Sequence, residues 1–89
     1  MFIANAFTPN GDGVNEKFGP TSTCQFLEYH FMIFDRWGQM VFESFDQLQW
    51  WNGAIGREAP KEDVYAWELY WTYPNQEAHH KAGRVSLIR

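Results

Sequence analysis

The chain is poor in cysteine, short of basic residues and free of long apolar runs. Cys24 is the sole cysteine among 89 residues. It has no mate for an internal disulfide and no second thiol for a cysteine-rich metal site. Its residue type reads as a small buried hydrophobe. As a nucleophile it would need a base, and no spacing ties His30, His79 or His80 to it. Seven Lys and Arg stand against eleven Asp and Glu, for a net charge of −4. That balance lacks the positive footprint a phosphate backbone requires, so nucleic acid is not an expected partner. No run of about 18 apolar residues occurs, which leaves no segment patterned as a transmembrane helix. Met1-Phe2-Ile3-Ala4-Asn5 has neither a basic n-region nor an apolar h-region and is not a signal peptide. That does not imply a cytoplasmic home, because the domain fits equally well as a piece of a longer exported chain.

The patterns of catalysis are missing too. Gly11-x-Gly13 is not a GxGxxG loop, and no nucleophile motif or paired-acid constellation stands out. Glu62-Asp63 reads as solvated charge. His79, His80 and Glu77 offer metal-ligating atoms, but adjacent residues on an extended segment point to opposite sides and chelate poorly. We expect them at a solvated hairpin tip. No catalytic residue and no cofactor are expected.

What the chain does have is aromatic mass: five Trp and eight Phe. A domain of this size buries only about 60–70% of its unfolded surface, so these rings must supply much of the core. Helical periodicity is weak and alternation is strong. In Cys24–Phe34 the odd positions Leu27, Tyr29, Phe31 and Ile33 predict an inward face. Asp35–Gln39, with Gly38 placed for a left-handed turn residue, predicts a hairpin into Met40–Ser44. Val64–Tyr73 puts Tyr65, Trp67, Leu69, Trp71 and Tyr73 on one side. Full burial of each is worth roughly 1.5–3 kcal/mol. Lys81–Arg89 predicts the last strand, paired with Val64–Tyr73 across Pro74–His80. Phe2–Phe7 is a short first strand, and further short strands are expected near Lys17-Phe18 and Arg57–Ala59. Asn52-Gly53, Gly56 and Pro60 punctuate an irregular stretch before the long strand. One domain over 1–89 follows, all-β, a small antiparallel sandwich by strand count, with meander and barrel left open.

Phe7–Glu16 is the most distinctive segment. Gly11 and Gly13 alternate with Asn10 and Asp12, so the backbone can reach φ > 0 while short polar side chains bond their own main chain. This is the composition of one tight loop. Asn10, Asp12, Asn15 and Glu16 also offer oxygen ligands suited to calcium. The spacing is not that of an EF-hand, since Asn15 holds the sixth place from Asn10 and Thr21 the twelfth. We therefore read the loop as satisfying its own amides, with a calcium site as the alternative.

Four blocks in order resemble a known family. Phe7–Glu16 is similar to FTPNGDGxN(D/E). Ile33–Glu43, IFDRWGQMVFE, is similar to IF(N/D)RWGxxV(F/Y)E. Trp51-Asn52-Gly53, then Gly56, Pro60 and Val64-Tyr65, resembles WDG…G…P…(V/T)Y. Gly83–Arg89, GRVSLIR, resembles GxVxLIR. The resemblance is to the gliding motility-associated C-terminal domain, the type B sorting domain of the type IX secretion system of Bacteroidetes. Glu16, Asn52 and Asp63 depart from the commoner Asp, Asp and Gly; Asp63 alters the turn into the long strand. The resemblance implies an immunoglobulin-like β-sandwich at the C-terminus of a large exported protein, with Ser86–Arg89 as its natural end. It implies an address read by the outer-membrane secretion machinery, which carries the fused upstream cargo through the periplasm to the cell surface or beyond.

If that holds, Gly83, Val85, Leu87, Ile88 and Arg89 are the expected recognition residues, on a terminal strand Lys81–Arg89 able to add to another sheet. Arg36-Trp37 at the hairpin tip reads first as packing and second as a recognition knob. Gly11, Gly13, Gly38, Asn52 and Gly53 are structural turn residues. Two other readings compete. One is a carbohydrate-binding sandwich using Trp37, Trp50 and Trp51, since Trp67 and Trp71 face the core. The other is a passive immunoglobulin-like spacer of a cell-surface protein.

Overall fold

Ten-residue strands β4 (Asp63–Thr72) and β5 (Ala78–Leu87) form the backbone of the molecule. A computed structural model describes residues 3–9, 16–22, 24–59 and 61–88. Three further strands are β1 (Ala6–Phe7), β2 (Glu28–Phe34) and β3 (Met40–Ser44). They join one five-stranded sheet in the order β1-β5-β4-β2-β3. The architecture is all-β. The β2–β3, β2–β4 and β4–β5 pairs are antiparallel, and β1 lies parallel to β5, so the sheet is mixed.

The inward face follows the odd positions. Tyr29, Phe31 and Ile33 of β2, Tyr65, Trp67 and Leu69 of β4, and Val85 and Leu87 of β5 are all buried. Their shared parity is what the unbroken β2–β4 and β4–β5 registers require, because side chains alternate across a strand. This face is covered by irregular chain. Phe18 and Trp51 exchange main-chain hydrogen bonds at 2.7 and 2.9 Å, stapling segment 16–22 to segment 45–59. Their rings pack on Phe7, Phe31 and Tyr65 with centroids 4.9–5.8 Å apart. The arrangement is consistent with a small β-sandwich whose second layer is mostly irregular. The bridge at Phe18, and another between Ile55 and Glu58, are what exists where short strands were expected.

The β2–β3 hairpin forms as predicted. Asp35 Oδ1 accepts the amides of Trp37 and Gln39 at 3.0 and 2.9 Å, and Gly38 takes φ +82°. A bulge follows: Ile33 faces Phe42 but Phe34 faces Met40, leaving an extra residue in β3.

Several limits differ from the sequence reading. β2 begins at Glu28, so Leu27 is exposed rather than inward. Cys24 is exposed as well: it lies in the loop before β2, held by its amide to Ser22 Oγ and by Gln47 to its carbonyl. Its residue type favoured burial, but the loop passes outside the covered face. β5 starts at Ala78, not Lys81, because the hairpin closes tightly. Tyr73 N–H donates to Glu77 O at 3.0 Å and Gln76 N–H to Tyr73 O at 2.8 Å, with Gln76 at φ +67°. His79 and His80 are therefore strand residues rather than a hairpin tip. They do lie on opposite faces, His79 stacked on Trp71 and His80 on Tyr70. The first strand is reduced to Ala6–Phe7; Phe2 lies outside the described residues.

Candidate functional site

The hairpin tip Asp35–Gly38 and the first residue of β4 meet at one end of the sheet. Arg36 Nε and Nη2 donate to the two carboxylate oxygens of Asp63 at 3.0 and 2.7 Å. Asp63 Oδ1 also accepts the Val64 amide at 2.8 Å. A planar guanidinium matches a carboxylate with two parallel bonds, which fixes direction as well as distance. The Asp63 side chain is only 12% exposed while that of Arg36 is 59% exposed. Arg36 in turn lies over the Trp37 ring, 5.4 Å from its centroid, and Trp37 is 75% exposed. The pair thus holds a large aromatic ring out in solvent at a fixed place. Sequence reasoning missed this partner, 27 residues away in the chain: it read Asp63 as solvated charge and as a departure at a turn, whereas the carboxylate is largely covered and paired.

The Arg36 hydrogen bonds first, and the Val64 amide second, hold the Asp63 carboxyl below the usual carboxylate range. A lowered native value means the carboxylate form is preferred on folding. The resulting stability is full above the ordinary pKa of about 3.9 and is lost as pH falls through the native value. Asp63→Asn should therefore melt lower than wild type near neutral pH, and the gap should close in acid as pH falls through the lowered native value. Melting temperatures of both proteins across that range check it; a gap unchanged with pH would reject the ion pair as its cause.

The other expected recognition residues scatter. Val85 and Leu87 are core residues, 0% and 1% exposed, so their side chains face the covered side. Gly83 lies under Trp67: a Cβ there would sit 2.7 Å from the indole Cζ2. Ile88 is 45% exposed, and its amide donates to Phe7 O at 3.0 Å. Arg89, together with Asn10, Gly11, Asp12, Gly13 and Asn15 of the proposed calcium loop, lies outside the described residues; Glu16 is half-buried at its edge. Asn52 and Gly53 do shape a turn, through Asn52 Oδ1 accepting the Ala54 amide at 3.0 Å and Gly53 at φ +90°.

Of the three tryptophans offered for sugar stacking, Trp51 is excluded by burial, and its Nε1 donates to Ala54 O at 2.9 Å. Trp50 is half-buried against Gly19, where a Cβ would fall 2.4 Å from the indole. Trp37 alone stands free.

Elsewhere the titratable groups are dispersed. His30 pairs with Glu43 at 2.7 Å and stacks on Phe45, while His79 pairs with Glu77 at 2.6 Å. Burial, then the charge of Asp46, pushes the Tyr29 hydroxyl above its ordinary value. Among the described residues no three metal-ligating side chains converge, and no helix is long and apolar enough to cross a membrane. The arrangement offers a rigid, sculpted surface built on a stiff sheet.

No curated protein matches the chain. A family profile, the CHU_C type IX secretion signal domain, matches residues 1–87 and so takes in the hairpin tip, the Trp51 turn and the whole of β5. The chain belongs to the type IX secretion signal domain family.

Proposed function

We propose that the whole chain acts as one immunoglobulin-like, non-catalytic address that directs an attached cargo protein through the periplasm and across the outer membrane, in the setting of gliding motility. The observation that carries this reading is the family match over residues 1–87. The structure supports it by what it makes rigid. The sheet holds the Arg36–Asp63 pair and the exposed Trp37 at one end, as surface features for a partner to read. The loop over 10–16 is proposed to close on its own amides, with calcium as the alternative.

The test is a reporter fusion carrying this domain at its C-terminus, expressed in a gliding bacterium with and without a working type IX system. The reporter should reach the medium or cell surface only in the competent strain. Equal export from both strains, or retention in both, would reject the reading. A passive spacer would also leave export unchanged when the domain is deleted.

A further inference from the structure

The two sides of the sheet end differently. On the β3 side the edge strand is five residues long, carries a bulge, and has Glu43 tied to His30. Short, bulged and charged edges resist pairing with another chain. On the other side β1 covers only Ser86 and Leu87 of β5. Among the described residues, Ala78–Arg84 has no strand beside it. Its register against β4 runs from Asp63↔Leu87 to Thr72↔Ala78 without a shift, so this edge is long and regular.

The open main-chain groups can be named. Tyr73 N–H bonds Glu77 O, which starts the antiparallel ladder on a hydrogen-bonded pair. Such pairs alternate, so the odd residues of β5 exchange bonds with β4 and the even ones face outward. The amides of Ser86 and Ile88, which donate to Asn5 and Phe7, confirm the parity. The N–H and C=O groups of Ala78, His80, Ala82 and Arg84 therefore point away from the sheet.

The chemistry of this edge is unlike that of the whole chain. The protein is acidic, yet Ala78-His79-His80-Lys81-Ala82-Gly83-Arg84 contains Lys81, Arg84 and two histidines and no acid. Lys81 and Arg84 are exposed, and among the described residues neither has a carboxylate partner. Nearby acids are Glu77, engaged with His79, Glu68, opposite Ala82 on β4, and Asp35 and Asp63, which line one cleft with Arg84 but are engaged by the hairpin-tip amides and by Arg36. A second copy pairing antiparallel on this edge about its middle would set Lys81 against Lys81, which opposes self-association. An acidic strand meets the same groups with opposite charge.

We propose that Ala78–Arg84 of β5 is a docking edge that takes an acidic, extended segment of a partner protein as an added strand, main-chain bonds supplying affinity and Lys81 and Arg84 selecting for acid. That the partner belongs to the export apparatus rests on the sorting function proposed above; the chemistry of the edge does not.

The test uses the 89-residue protein and short synthetic peptides. One repeats Glu-Glu-Thr-Thr, one has lysine in place of glutamate, and one is the glutamate peptide N-methylated at alternate amides. The repeat puts acid on both faces of an extended strand, because Lys81 and Arg84 project to opposite faces. The glutamate peptide should bind at least about tenfold tighter than either control, and tighter at low salt. Ala82→Pro removes an outward N–H without touching the β4–β5 ladder, so it should melt like wild type yet lose that binding about tenfold. Equal binding of all three peptides, no binding of any, unchanged binding by Ala82→Pro, or a wild-type dimer abolished by Ala82→Pro would each overturn the proposal. In the reporter assay, Ala82→Pro should be retained while wild type is exported. Export of both shows that the edge is not what the machinery reads and leaves the sorting function standing; export of wild type without a type IX system removes the sorting function alone.

Discussion

Trp51→Ala should cost the domain about 3–5 kcal/mol, the usual range for emptying a large aromatic site in a core. Total stability for a domain is about 5–15 kcal/mol, so the variant should lose a large share of it. At about 4–8 °C per kcal/mol, the melting temperature should fall by at least about 12 °C. The size of the effect comes from position. Trp51 is 1% exposed and its ring meets Phe7 and Tyr65 at centroid distances of 5.5 and 4.9 Å. It also carries both main-chain bonds to Phe18 that staple the two irregular segments of the covering layer together. The alanine variant leaves those main-chain bonds chemically intact, so what it removes is the ring. Trp51→Phe separates the remaining contribution: it keeps an aromatic plug but orphans the Ala54 carbonyl that accepts the indole N–H at 2.9 Å. That loss should be about 1–3 kcal/mol on top of the smaller ring. A thermal melt lowered by only a few degrees in Trp51→Ala would show that the covering layer is not what stabilises the sheet.

The regular part of this fold was written in the sequence because parity is a local property. Tyr65, Trp67 and Leu69, or Phe31 and Ile33, declare a buried face by alternation alone, and the neighbouring strands agree with it. Gly38 announced its turn because a left-handed position favours glycine. Gln76 hid where the expected Pro74–His80 turn ends, for the same reason. It takes a left-handed φ that its residue type does not advertise, so β5 was expected to begin three residues late and His79 and His80 were misplaced with it. Cys24 and Leu27 misled in the opposite direction: their residue types suggested burial, but exposure is decided by which chain passes overhead. The Arg36–Asp63 pair was hidden because ion pairs between elements have no period. Trp51 was grouped with surface tryptophans because it sits in an irregular stretch, and only its bridge to Phe18 carries it inward. The proposed calcium loop, apart from Glu16 at its edge, and Arg89 lie outside the described residues and rest on the resemblance and on residue chemistry.

Removing Ser86–Arg89 should unfold the domain, and this changes what retention of a truncated cargo would mean. Leu87 is 1% exposed in the core, and losing a buried leucine side chain costs about 2–5 kcal/mol. The same cut removes two main-chain bonds to the segment that carries β1, Ser86 N–H to Asn5 O at 2.9 Å and Ile88 N–H to Phe7 O at 3.0 Å. Phe7 then loses its anchor to the sheet although its ring is part of the core against Phe18 and Trp51. The combined loss is about 5 kcal/mol or more, comparable to the whole stability of a small domain. The truncated chain should show no cooperative melt and should be cut rapidly by protease, and a cooperative transition near the wild-type temperature would refute this account. A truncated reporter trapped inside the cell would consequently report unfolding as readily as a missing recognition element. Ile88→Ser distinguishes the two, because the Ile88 side chain is 45% exposed and its main-chain bond to Phe7 survives the substitution. It should melt within a few degrees of wild type, since a surface change of this kind alters stability by about 0.5 kcal/mol or less. If the secretion machinery reads the end of the chain through side chains, Ile88→Ser should lower export while staying folded. If it reads the shape of the assembled sheet, Ile88→Ser should be exported normally and only variants that disturb β5 or the core should be retained.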